Sequence, residues 1–156
     1  MKKFFTSLSI LALIATSSVF VSCSSDDNSS KEVEVIQQDP LLAKWTAKEI
    51  DLRLQLGDNV MADEVGTDIT NDLELYFEFE EDNVAHLFQK DLETGNIIEA
   101  TGTYSISGSE LTTLFNGVSQ IFEYEINGNK LLLTLNTEEM YQGEVLTMNM
   151  TYHLYK

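Results

Sequence analysis

The chain has 156 residues, one cysteine, one proline and one tryptophan, with 26 Asp and Glu against nine Lys and Arg. A formal net charge of −17 excludes nucleic-acid binding, which needs clustered cations to displace counterions, and it opposes electrostatic docking on anionic lipid. The lone cysteine excludes an intramolecular disulfide.

Lys2 and Lys3 precede FFTSLSILALIATSSVFV, residues 4–21, an apolar run without charge. Its core, Leu8 to Ala15, is short and serine-rich for a membrane span, which takes about 20 apolar residues. A positive start, an apolar middle and a small residue before a cut make an export signal. The boundary falls after Ser22, so residues 1–22 are the signal and Cys23 begins the mature chain. Loss of that signal removes two lysines and no acid, leaving seven cations against 26 acids and a net charge of −19.

The SCSS stretch at 22–25 resembles the lipobox of bacterial lipoproteins, with Phe20 where leucine is usual. That resemblance implies a diacylglyceryl group on the Cys23 thiol and a further acyl chain on the new amino terminus. One acyl chain binds a bilayer marginally, at roughly 0.8 kcal/mol per buried CH2, and two or more hold firmly. The membrane, reached through this anchor, is therefore the first expected partner. Residues 23–39 are polar and end before Pro40. Such a segment buries too little surface to fold and reads as a tether spanning about 20–25 Å. Ser25, Asp26 and Asp27 resemble the surface-export signal of Bacteroidetes lipoproteins, which implies an outer-membrane protein facing outward. Serine and aspartate are also what any solvated linker uses.

Residues 40–156 suffice for one domain with a real core. The first run, KWTAKEIDLRLQL at 44–56, alternates through Ile50, Leu52, Leu54 and Leu56 and predicts a strand. Residues 57–72 break the pattern and read as loop with one helical turn. LELYFEFE at 73–80 puts Leu73, Leu75, Phe77 and Phe79 on one face and acids on the other. VAHLFQK at 84–90 runs back, with Phe88 and His86 read as inward. Ile98, Ala100, Gly102, Tyr104 and Ile106 share a phase in the next strand, and LTTLF at 111–115 follows. Asn116–Gly117 is a strong hairpin signal, because both central residues of that turn need positive φ. Phe122, Tyr124 and Ile126 lie in phase, then a second Asn-Gly at 127–128 turns the chain into Leu131, Leu133 and Leu135. The last run aligns Leu146, Met148, Met150, Tyr152 and Leu154, with His153 on the opposite face.

The fold class is therefore all-β: an antiparallel up-and-down meander of about eight strands that closes into a barrel, because an open meander leaves a pairing edge. LLAKW at 41–45, FEFEEDN at 77–83, GTYSISGSELT at 102–112 and LTMNMTYHLYK at 146–156 resemble the lipocalin-like domains of Bacteroidetes lipoproteins. The resemblance implies a lipocalin-like β-barrel over 40–156 and a late basic residue, Lys130 or Lys156, packed on Trp45.

The chain offers no Gly-x-Ser-x-Gly and no histidine pair at ligand spacing, so the expectation is a non-enzyme without cofactor or metal. Glu74, Glu78, Glu80, Glu123 and Glu125 alternate with core residues and read as a solvated face. Asp58, Asp63, Glu64 and Asp68 offer hard oxygens, but their spacing fits no EF-hand loop. Methionine and aromatic side chains line adaptable apolar pockets. The candidate ligand-binding set is accordingly Ala100, Gly102, Tyr104, Phe122, Tyr124, Met148, Met150 and Tyr152, with any cavity expected beside the small Ala100 and Gly102. The bulky inward positions equally suit a filled barrel. Two functions follow: a membrane-anchored protein binding a small apolar ligand, or an interaction module serving a cell-envelope protein complex.

Overall fold

The structure, a computed structural model, describes residues 39–156. The export signal, Cys23 and all of the tether before Asp39 lie outside the described residues. Nine strands follow in order: β1 Ala43–Leu56, β2 Asn59–Asp68, β3 Leu73–Phe79, β4 Val84–Asp91, β5 Ile97–Ser107, β6 Glu110–Phe115, β7 Val118–Asn127, β8 Lys130–Tyr141 and β9 Glu144–Tyr155. A 3-10 turn, Glu81–Asn83, joins β3 to β4, and the described residues include no α-helix. Strands β3 to β9 pair each with the next, β3 pairs β1, and β1 pairs β9. Eight antiparallel strands thus close on themselves, and β2 lies against β1 as a ninth. Where its ladders are continuous, closure leaves the ring no edge.

The two-residue rhythm sets the inner face. Trp45, Leu75, Phe77, Phe79, Leu111, Phe122, Leu131, Leu133 and Leu154 are all buried. Thr113 is the one buried polar side chain among the described residues. At the Asn116–Gly117 hairpin both φ values are positive, 51° and 81°, as a type I′ turn requires. The second Asn-Gly turns differently. Asn127 pairs with Lys130, so Gly128 (φ 64°) is the first central residue, the place where a II′ turn puts its glycine.

Two expectations are corrected. Residues 59–68 form a strand rather than a loop, and two register shifts against β1, between Ile50 and Leu52 and between Leu54 and Gln55, scramble its alternation. β4 has the opposite phase to the one expected. Phe79 stands across from Ala85 and Phe77 across from Leu87, so Ala85 and Leu87 face inward. Phe88 lies outside, stacked on Tyr76 at 4.9 Å between centroids, and His86 is outside with it. The small Ala85 leaves room beside Phe79, which a larger residue at that position would take.

The two ends of the barrel differ. At the end where Asp39 enters, Trp45 is fully buried. Its Nε1–H donates to the Leu41 carbonyl at 2.8 Å, and Lys156 Nζ sits 4.6 Å from its ring centroid. Lys156 is thus the basic residue on Trp45, while Lys130 lies 5.7 Å from the Tyr155 ring. Lys156 Nζ also donates to the Pro40 carbonyl at 3.1 Å, tying the last residue to the start of the domain. This end is closed.

The other end splits. β1 pairs β3 only from Ala43 to Thr46, and beyond Glu49 its edge is taken by β2. The β7–β8 ladder stops at Glu123 and Thr134, while β8 continues to Tyr141 beside β9 alone. The open end therefore consists of two leaves, β2-β1-β9-β8 and β3 to β7, that share no ladder there.

Candidate functional site

Phe77 is the hub of the interior. Its ring lies 6.3 Å from Phe79, stacked, and meets Phe122 and Tyr152 edge-on at 6.1 and 6.2 Å. Phe79 in turn meets Tyr104 edge-on at 5.1 Å. Offset and edge-on pairs are the favoured aromatic geometries, worth about 0.5–1.5 kcal/mol beyond burial. Together these rings plug the closed half of the barrel.

The candidate ligand-binding residues divide across that plug. Tyr104 lies in its closed-end side, with its hydroxyl donating to the Glu80 carbonyl at 3.1 Å. Burial, and then the Asp39 carboxylate, push its pKa above the ordinary value. Tyr124 is half-buried opposite Leu133. Phe122 is part of the plug. Tyr152 keeps some surface, but protein surrounds its hydroxyl, and that burial pushes its pKa up to about 12. Met150 and Met148 follow Tyr152 along the inner face of β9, opposite Leu52 and Leu54 of β1, and both are buried. Only this last group lines the approach from the open end.

The space expected beside Gly102 is filled. A Cβ built on Gly102 would come within 1.9 Å of the Leu114 carbonyl oxygen, so the β6 backbone fills that space. Glycine here allows a close strand approach at a barrel corner. Gly102→Ala is therefore expected to cost about 1–3 kcal/mol by overpacking, against the gain of about 0.5–1 kcal/mol that Gly to Ala ordinarily brings in a strand. Urea unfolding of the two proteins measures the sign. Ala100 borders a hollow of about 240 Å³ that opens on the outer face among Tyr76, His86, Phe88, Glu99 and Thr101. That is below the roughly 300 Å³ at which small-molecule sites begin.

Periodicity did not single out the apolar residues beyond the plug as a site. Leu52, Leu54 and Leu56 of β1 stand opposite Met150, Met148 and Leu146 of β9, and Ala62 of β2 stands opposite Leu54. Leu52, Leu54, Leu56 and Leu146 are half-buried. They continue the barrel's inner face past the point where its ladders end. The signal available in the sequence was the unbroken Leu52-Leu54-Leu56 alternation running beyond the length that pairing with β3 needs.

Most of the remaining polar candidates lie on the outer face. Glu74, Glu80, Glu123 and Glu125 are exposed and Glu78 half-buried on the outer face. Asp63 faces Arg53 at 3.6 Å, and Asp68 accepts from the Thr70 N–H at 2.8 Å. The carboxylates of 58–68 are thus spread along β2 and the turn before it, and no three metal-ligating side chains cluster among the described residues.

His153 is on the outer face, as expected, but clamped. Its Nε2 lies 2.9 Å from Asp51 Oδ2, and its Nδ1 3.5 Å from Glu49. Asp51 also accepts from the Gly66 N–H of β2 at 2.6 Å, so one carboxylate ties three strands. Burial alone raises the Asp51 pKa, but the Gly66 N–H and the His153 ring outweigh it and hold the carboxyl below its usual value. A carboxyl depressed in the fold stabilises it above the unfolded pKa, and that contribution is lost as pH falls through the folded value. Asp51→Asn is expected to cost about 1 kcal/mol near neutral pH and to flatten the loss of stability below about pH 4. Unfolding midpoints across the acid range measure both effects.

A family model described as a lipocalin-like domain matches residues 41–133, from the buried Leu41 to the inner Leu133 of β8. No curated protein matches the chain by sequence. Among solved structures, an uncharacterized protein from Bacteroides eggerthii DSM 20697 overlays with a TM-score of 0.42 at 13% identity, over 74% of this chain and 98% of that one. β9, beyond the matched region, supplies the ladder that closes the ring on β1. The chain belongs to the lipocalin-like domain family.

Proposed function

We propose that the chain is a non-catalytic binding protein that takes a small apolar ligand at its open end, and that acyl chains on Cys23 anchor it in the outer membrane, facing outward. The observation that carries the binding reading is the long leaf β2-β1-β9-β8. Its inner face stays apolar through Leu52, Leu54, Leu56 and Leu146 after its ladders to the rest of the ring have ended. Half-buried apolar surface of this kind gains by covering itself, at about 25 cal/mol per Å². The aromatic plug around Phe77 limits depth, so a ligand lies between the leaves above the plug. The anchor reading rests on the sequence around Cys23. Asp39 enters at the closed end, so the open end is the pole away from the tether's attachment.

A second reading, an interaction module for a cell-envelope protein, is favoured by the same plug, which fills the half of the barrel where a deep calyx would lie. Native mass spectrometry of the protein purified from its own cells separates the readings. Ligand binding predicts an adduct of a few hundred daltons that departs on activation, and anchoring predicts the mass of the acyl chains. A bare polypeptide mass from residue 23 onward overturns the anchor. An acylated protein with no adduct, which also binds no added dodecyl glucoside, overturns the ligand and leaves the interaction module.

A further inference from the structure

We infer that the ligand of the open end carries a positive charge: an apolar chain bearing an amine or quaternary ammonium group. This rests on the binding reading above and adds the chemical class of the ligand. Besides Glu144 at the start of β9, the inner face of the long leaf holds two carboxylates that stand opposite its leucines. Glu139 of β8 stands directly opposite Leu146, and Glu64 of β2 directly opposite Leu52. Residues directly opposite each other in an antiparallel pair share a face, so both acids lie on the side that carries Met148 and Met150. Glu139 is half-buried there and Glu64 is exposed. Neither acid forms an ion pair among the described residues, and the one side-chain hydrogen bond of Glu64 there is accepted from the Thr67 hydroxyl at 3.4 Å.

The cations are all elsewhere. Lys44 lies 3.5 Å from the centroid of the outer Tyr76 ring, and Lys48 and Lys130 lie over the outer Tyr155 ring. Arg53 faces Asp63 on the outer side. Lys90 pairs across from Glu74 on the outer face, and Lys156 closes the other end. Among the described residues the inner face of the open end therefore has negative charge and no positive charge to answer it.

That asymmetry selects between amphiphiles of equal apolar content. A carboxylate or sulfate headgroup at either margin would be brought beside an acid with no cation to receive it, at an electrostatic cost that grows as water is excluded. A cationic headgroup meets one of them as a close ion pair, to which an amine adds a charge-assisted hydrogen bond. Glu64 sits toward the free edge of β2 and Glu139 toward the free edge of β8, so the two flank the apolar strip of β1 and β9. The chain lies on that strip, and the head at its margin.

The test is calorimetric titration of the full folded domain, below micelle formation, with dodecyltrimethylammonium, dodecanoate and dodecyl glucoside. The cation is expected to bind at least about tenfold more tightly than the carboxylate, with the glucoside between. Glu64→Gln combined with Glu139→Gln should bring cation and glucoside to within about threefold of each other. The control pair Glu74→Gln with Glu123→Gln, an equal charge change on the outer face, should leave the preference intact. Equal binding of all three probes, or tighter binding of dodecanoate, overturns the positive headgroup while leaving an apolar ligand in place. A preference lost equally in the control pair overturns Glu64 and Glu139 as its source. Binding of none of the three overturns the ligand reading and this inference together.

Discussion

Phe77→Ala is expected to lose about 3–5 kcal/mol of stability, a fall in Tm of roughly 10–20 °C for a domain of this size. The side chain is buried and touches rings from three other strand positions: Phe79, Phe122 and Tyr152. Its removal takes away burial and also leaves a cavity that the surrounding strands cannot collapse into, since each is held on both sides by a ladder. A domain stable by about 5–15 kcal/mol does not always fold after such a loss. Phe77→Leu keeps most of the volume and is expected to lose less, about 1–2 kcal/mol. Chemical unfolding of both variants gives the ratio. Equal losses would mean that the ring contacts contribute nothing beyond apolar area.

Trp45→Ala is expected to cost a similar 3–5 kcal/mol, for a different mixture of reasons. Trp45 closes the end of the barrel where the chain enters. Its indole N–H is spent on the Leu41 carbonyl, so alanine leaves that carbonyl without its partner in a buried setting. An orphaned buried group of this kind costs about 1–3 kcal/mol by itself. Lys156→Ala separates the cation's part from the ring's. An exposed cation over an aromatic face contributes about 0.5–1 kcal/mol, so this variant should lose under about 1.5 kcal/mol even with the Pro40 contact gone. Unfolding midpoints of Trp45→Ala, Trp45→Phe and Lys156→Ala check the order: alanine at 45 worst, phenylalanine intermediate, alanine at 156 mildest.

The sequence made most of the ring legible because a half-buried strand repeats every two residues. β3, β7, β9 and β8 as far as Asn136 follow that rule without interruption, and their inner faces are the ones expected, while residues 137–141, which read as loop, continue β8. β2 was illegible for a physical reason. It pairs on one edge only, much of it is exposed, and two register shifts move its side chains between faces. No period survives that. β4 was legible as a strand but not in phase, because Val84 and Phe88 alternate as convincingly as Ala85 and Leu87. What settles the phase is volume across the sheet, Ala85 beside Phe79, and a single strand cannot report its neighbour.

The candidate site was legible in part for the same kind of reason. Met148, Met150 and Tyr152 were recognisable as an apolar inward stripe. Gly102 was read as space because it has no side chain, when the β6 backbone takes that space. The leaf beyond the plug depends on where ladders stop, and ladder length is set by the stagger between strands, which no window of residues contains. Glu64 stood out only as one of the hard-oxygen acids of 58–68 and Glu139 not at all, until their partners, Leu52 and Leu146, placed them on the inner face.

The most direct measurement is methyl NMR of the protein labelled at its methionines, titrated with dodecyl glucoside below micelle formation. Met148 and Met150 lie buried on the inner face, while Met61 and Met140 are exposed at 62% and 70%. A ligand seated between the leaves shifts the Met148 and Met150 signals saturably and leaves Met61 and Met140 in place. Four signals that move together, or signals of Met61 and Met140 that move alone, would contradict a binding site at the open end of the barrel.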